Sequence, residues 1–245
     1  MKDISIFGFS SEKPQTPFAP AWNYYIAEAK LDVDISTLLP EIKNIVTNIK
    51  KSAPVYHPVT QPIFRIKEGK ITREDFTESV VSDGNTKLGK GNIMSRYSSY
   101  NIFKSPVMEG VVEEIRSIHN RFLEALGIKI PPFFYINGWI NIIKFGEKVH
   151  PHIHSINPQC YLGGNLCMSD SNTKTYYINP VNQVNYPEIL ESYNEMGKLT
   201  LFQNCIPHYT DRYWGLKDRV TLAFNMRMHN IDPNALKVST FNGNV

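Results

Sequence analysis

The period of the apolar positions changes partway along the chain. Up to about residue 127 two helical stripes stand out; from Phe133 onward short alternating runs take over. Leu38, Leu39, Ile42, Ile45, Val46 and Ile49 recur at helical spacing and predict a helix to about Lys51, with Ser36 as its cap. Pro40 falls in the first turn, where a missing N–H does little harm. Val107, Val111, Ile115, Ile118, Phe122 and Leu126 predict a second helix. Ser105 suits its N-cap, Pro106 its first position and Gly127 its stop. His119 lies off that stripe and is expected on the surface. Ahead of the helices, Ile4–Phe7 and Trp22–Ala27 read as short strands, joined by a loop carrying Pro14, Pro17 and Pro20.

Residues 139–145, 160–168, 174–179, 198–203 and 219–228 read as further strands. Many short strands after a helical half predict a mainly β fold, an antiparallel sandwich with flanking helices packed on its outside. Residues 54–104 read as irregular, apart from an extended Ile63–Ile66. The turn formers at 83–92 make 83–101, with Arg96 and Tyr97, a candidate loop over an active site. Gly89 and Gly91 lack a following Walker-type lysine and serine, so they do not make a phosphate loop. The expected organisation is one domain over 1–230, with 1–135 supporting a strand core at 136–230. A poorly packed tail is expected over 231–245.

Composition narrows the function classes. The chain has 245 residues, 42% hydrophobic and 20% charged, which supports a packed core. The net charge of +3 is too balanced to indicate nucleic acid or a membrane surface. There is no run of about 18 apolar residues for a membrane span, and the N-terminus lacks a signal-peptide pattern. Cys160, Cys167 and Cys205 are odd in number and without C-x-x-C spacing, which fits a reducing, cytoplasmic setting.

The candidate chemistry lies in Val149-His150-Pro151-His152-Ile153-His154. If this stretch is extended, its three histidines share one face and can chelate a divalent metal. Taken alone it reads first as a histidine-bearing surface loop kept in place by Pro151. His208 follows Pro207 at the end of a later apolar run, as a distant partner. Arg219 opens an alternating strand on which Arg219, Thr221, Ala223 and Asn225 share one face and Val220, Leu222 and Phe224 the other. A guanidinium there can hold a carboxylate bidentately, with the Thr221 hydroxyl assisting; the plainer reading is a strand-end salt bridge.

These residues resemble the iron(II)- and 2-oxoglutarate-dependent oxygenases, and within them the group common in bacteriophages and aquatic bacteria. The resemblance is carried by Trp139, Asn141, Gly146, His152 and His154, by Tyr161-Leu162-Gly163-Gly164, by Tyr177 to Pro180, by Gly197 to Phe202 with Pro207-His208, and by Arg219 to Asn225. It extends more weakly to Ser95–Asn101. It implies a double-stranded β-helix (jelly-roll) core and oxidation of a small-molecule or protein substrate, with release of succinate and CO2. It implies iron(II) on His152, His154 and His208, and 2-oxoglutarate near Arg219, Thr221, Asn141 and Tyr161, with His150 a neighbour. The chain departs from the superfamily where an acid usually stands, at His154. Two readings follow: an all-histidine face, or His154 as a neighbour with water or another acid as ligand. It departs again at Leu166-Cys167-Met168, where tyrosines are usual. A cupin-type enzyme also uses H-x-H, but its following glutamate is absent at 157–159. A metal-free jelly-roll binding or structural protein is the third possibility.

Overall fold

The structure is a computed structural model, and it describes residues 3–52, 56–68, 70–81, 100–154, 160–181, 187–230 and 232–241. Strand β1 (Ser5–Ser10) pairs antiparallel with β2 (Asn23–Lys30), and helix α1 spans Ile35–Ser52. Strands β3 (Tyr56–Lys67) and β4 (Lys70–Val81) form a separate antiparallel hairpin. Helix α2 spans Glu109–Ala125. Then come β5 (Phe133–Ile143), β6 (Cys160–Cys167), β7 (Lys174–Ile178), β8 (Ile189–Tyr193), β9 (Lys198–Gln203), β10 (His208–Thr210), β11 (Arg219–Arg227) and β12 (Leu236–Ser239).

Seven strands form the major sheet, in the order β1-β2-β9-β6-β11-β5-β12, and three form the minor sheet, β10-β7-β8. Every pairing is antiparallel. The major sheet is apolar on both faces, for two reasons. One face carries Ile136, Ile140, Leu162, Leu166, Leu199, Leu201, Leu222 and Phe224, and both helices pack on it through Ile42, Val46, Val111, Ile115 and Phe122. The other face meets the minor sheet across Phe9, Ile26, Tyr177, Phe202 and Ile206. Burying one such side chain contributes roughly 1.5–3 kcal/mol, so each layer is anchored by several of them. The jelly-roll architecture with helices outside is therefore the observed one.

Helix α1 is capped by Asp34 rather than Ser36. The Asp34 carboxylate accepts from the Ser36 amide at 3.0 Å and from its hydroxyl at 2.6 Å. Before α2, Pro106–Met108 forms a 3-10 turn, and Ser105 makes no side-chain cap bond. Gly127 takes φ +66° and ends the helix as expected, since only glycine enters that region freely. Glu114 of α2 accepts the amides of Asp32 and Val33, each at 2.6 Å, and so fixes the helix against the start of α1.

Four expectations need correction. The region read as irregular holds the long β3–β4 hairpin; its alternation is too mixed to show a strand pair. His119 is fully buried rather than on the surface. Its Nδ1 meets Asn120 at 2.9 Å and its Nε2 the Tyr161 hydroxyl at 2.7 Å. The segment read as a loose tail supplies β12, which pairs with β5 and buries Val238 and Thr240. The supporting half also contributes β1 and β2 to the major sheet, so it is part of the jelly roll. Within 83–101 only Tyr100 and Asn101 are described; Arg96 and Tyr97 lie outside the described residues. Asn101 is buried and stitches four backbone groups together. It donates to the carbonyls of Ile136 and Asn234 and accepts from the amides of Phe103 and Gly138.

Candidate metal centre

The histidine stretch is extended but is not a strand of either sheet. His152 alone makes a ladder bridge, exchanging both backbone bonds with His208 at 3.1 and 2.9 Å. Two residues on, the His154 amide donates to the Asn204 carbonyl at 3.1 Å. This pairing brings the local pair of histidines against the distant one. Ring centroids are 4.3 Å apart for His152 and His208, 5.0 Å for His154 and His208, and 5.7 Å for His152 and His154. The ligand nitrogens of all three lie within 4.8 Å of one another. His150 is exposed and outside this set, against the expectation of three imidazoles on one face.

Each ring is held by its Nδ1. His152 Nδ1–H donates to the His150 carbonyl at 2.8 Å, and His208 Nδ1–H to the Ile206 carbonyl at 3.0 Å. His154 Nδ1 meets Asn225 Oδ1 at 2.7 Å. Those bonds set the tautomer, leaving every Nε2 with a free lone pair, the form that ligates a metal. Burial is the main cause that pushes all three below the usual histidine range, His154 to about 3. The imidazoles are thus neutral at pH 7. Trp139 and Phe202 flank His154, with centroids at 5.9 and 5.2 Å.

The small-residue step in β6 has a steric reason. A Cβ on Gly163 would stand 2.7 Å from His154 Nδ1 and 2.8 Å from Asn204 Oδ1. On Gly164 it would stand 2.2 Å from the Phe224 ring. Gly163 makes room for the histidine, and Gly164 for the core on the opposite face.

Strand β11 alternates as the sequence indicated. Val220, Leu222 and Phe224 enter the helix-covered core, Arg219, Thr221 and Ala223 line the histidine cavity, and Asn225 holds His154. Arg219 is 2% exposed, and its Nη1 reaches the Thr210 hydroxyl at 3.3 Å. Its Nε has no partner. Asn141, opposite Thr221 in the ladder, lines the same cavity with a buried, unpartnered Oδ1. Thr210, Asn165, Asn204 and Val149 also stand here, and no periodic signal along the chain singled them out.

Tyr161 is the exception among the expected residues. The β6–β11 register shifts between Met226 and Arg227, so Tyr161 is skipped in the pairing. Such a bulge re-aims a side chain. The Tyr161 hydroxyl meets His119 of α2, and its ring packs against the helix-side core. It is not among the residues lining the histidine cavity.

The cavity is about 40 Å³, enough for an ion or a water rather than a larger ligand. A larger cleft, about 630 Å³, lies between α2 and β12 with Glu109, Glu113, Arg116 and Lys237 on its walls. Size favours the cleft, but chemistry favours the cavity. Trp139, Asn141 and Arg219 line the cavity and Asn204 abuts it, and all four carry buried, unpartnered polar atoms; no residue of the cleft does. Such groups cost about 1–3 kcal/mol each unless a ligand or water satisfies them. Among the described residues, no helix is long and apolar enough to cross a membrane.

No protein-family model matches the chain, and no curated protein matches it in sequence. Solved structures do match. The non-haem alpha-ketoglutarate-dependent carbocyclase SnoK from nogalamycin biosynthesis aligns over 82% of this chain and 79% of its own, at 8% identity and TM-score 0.51. A prolyl hydroxylase of Trichoplax adhaerens aligns over 82% and 83%, at 10% identity and TM-score 0.49. A prolyl-4-hydroxylase of Pseudomonas putida aligns over 84% and 93%, at 9% identity and TM-score 0.47. At these identities the likeness concerns the fold alone: the chain shares the fold of SnoK, with its two antiparallel sheets arranged as a jelly roll.

Proposed function

We propose that the protein is an iron(II)- and 2-oxoglutarate-dependent dioxygenase that hydroxylates a small-molecule or protein substrate. The observation that carries this reading is the convergence of three tautomer-locked, neutral imidazoles beside a buried, unpaired arginine. The donor set fits a divalent first-row metal, since each ring offers one Nε2 lone pair and its Nδ1 is tied to an oxygen acceptor. His152, His154 and His208 would hold the ion. With 2-oxoglutarate bound, the centre supplies oxygen activation, with succinate and CO2 as co-products.

The remaining work falls to the chain's own groups. Arg219 binds and orients the distal carboxylate through two N–H donors, in a cavity where low polarity strengthens that bond. The Thr221 and Thr210 hydroxyls and the Asn141 amide stand on the same walls to complete it. Trp139 and Phe202 restrict water around His154 and keep the ring from turning. At about 40 Å³ the cavity does not admit the co-substrate without movement of its walls.

His154 stands in the position where the superfamily carries an acid. No carboxylate lines the cavity among the described residues, which favours an all-histidine face over a separate acidic ligand. Iron(II) binding by the metal-free protein under argon, with 2-oxoglutarate present, tests the reading. One ion per chain is expected, with His208→Ala losing it; wild-type affinity in that variant would remove His208 from the ligand set.

A further inference from the structure

Among the described residues, no carboxylate lines the cavity of the centre. The groups that hold the Nδ1 atoms of the three imidazoles are two carbonyls and an amide rather than carboxylates. Arg219 adds one positive charge and has no ion-pair partner among the described residues. Asp211, the acid whose charge acts on it, is occupied elsewhere: it accepts the Tyr176 hydroxyl at 2.9 Å and the Lys174 amide at 2.9 Å. A divalent ion would raise the pocket to three positive charges in a buried space. Separating like charges from counter-charge in such a space is costly.

From this charge pattern we infer that the pocket takes its metal and a dianionic 2-oxo acid as one unit, with the dianion replacing the missing protein carboxylate. The inference rests on the function proposed above and adds to it a dependence. The metal alone binds weakly, the dianion alone binds weakly, and each tightens the other by the same factor, as linkage requires. A carboxylate at position 154 would relax that dependence, because the protein would then supply part of the counter-charge. The distal carboxylate matters as much as the chelating end, since it neutralises the otherwise unpaired Arg219.

Nickel(II), which is redox-inert here, is titrated calorimetrically into metal-free protein, alone and with saturating 2-oxoglutarate or pyruvate. Chelation in free solution is subtracted. Pyruvate carries the same chelating group with half the charge. The expected gain in nickel affinity is roughly 30-fold or more with 2-oxoglutarate, and at least about 5-fold smaller with pyruvate, within the usual span of coupled ligands. The His154→Asp variant should bind nickel alone about 10-fold tighter than wild type, a typical size for a change at a ligand, and should gain less from 2-oxoglutarate. Equal gains in wild type and variant would overturn the inference. If the variant fails to fold, the wild-type comparison decides: a gain with pyruvate equal to that with 2-oxoglutarate overturns it. Nickel binding that 2-oxoglutarate does not change would also overturn it while leaving the three-histidine site standing. Absence of nickel binding under every condition would remove both.

Discussion

Arg219 is a buried cation held by one long hydroxyl contact, and so it is a stability cost in the ligand-free protein. Replacing it with methionine keeps the volume and removes the unpaired charge. The expected gain is about 1–2 kcal/mol in the ligand-free state, seen as a rise of a few degrees in melting temperature. The same variant should lose 2-oxoglutarate affinity by roughly 100-fold, as for truncation of a buried charge pair, while still binding nickel(II). Calorimetry on the two ligands separates these effects. His119 makes a different prediction. Burial pushes it down to about 4, so the unfolded chain binds a proton there that the folded chain does not. Stability is complete above about pH 6.5 and declines toward pH 4, by on the order of 3 kcal/mol from this residue. His119→Gln should flatten that part of the pH profile in urea unfolding; an unchanged slope would show that His119 does not carry it. The sequence placed His119 on the surface because a polar residue beside an apolar stripe usually faces water. The bulge that turns Tyr161 toward α2 supplies the partner of its Nε2, and a bulge in one strand depends on the pairing of another.

Strand β11 shows how far element-level patterns reach. Its alternation separates Val220, Leu222 and Phe224 from Arg219, Thr221 and Ala223, and the structure keeps that division because one face meets helices and the other the cavity. The histidine stretch was legible as a cluster but not as a geometry. Its shape depends on a bridge to His208 and an amide bond to Asn204, both some fifty residues away. Gly163 and Gly164 read only as a small-residue step, whereas their separate tasks depend on which face each one meets. Gly163→Ala should displace the His154 ring and weaken nickel binding by roughly 10-fold. Gly164→Ala should instead overpack Phe224 and cost about 1–3 kcal/mol. Thermal unfolding and nickel titration of the two variants check the division of labour; metal affinity falling equally in both would contradict it.

At the scale of the whole molecule, the major sheet has β1 at one edge and β12 at the other, so the first and last strands both belong to it. The last strand was hidden by its short, mixed pattern: Lys237 and Ser239 are exposed, while Leu236 and Val238 face the core. Removal of residues 231–245 would leave one edge of β5 unpaired and strip a carbonyl from Asn101. A loss of about 3 kcal/mol or more is expected from the buried valine and the freed polar groups, measurable as a lower urea midpoint. A tail without structural role would leave the midpoint unchanged. The jelly roll serves the site as a clamp that sets His208 of the minor sheet and Arg219 of the major one on the walls of one cavity. The central claim is that iron and 2-oxoglutarate meet at that clamp. Its most direct measurement is the visible spectrum of the protein under argon with iron(II) and 2-oxoglutarate added. A weak charge-transfer band that needs both ligands, and is lost in His208→Ala, is the predicted result. No band at saturating concentrations of both in the wild-type protein would contradict the account.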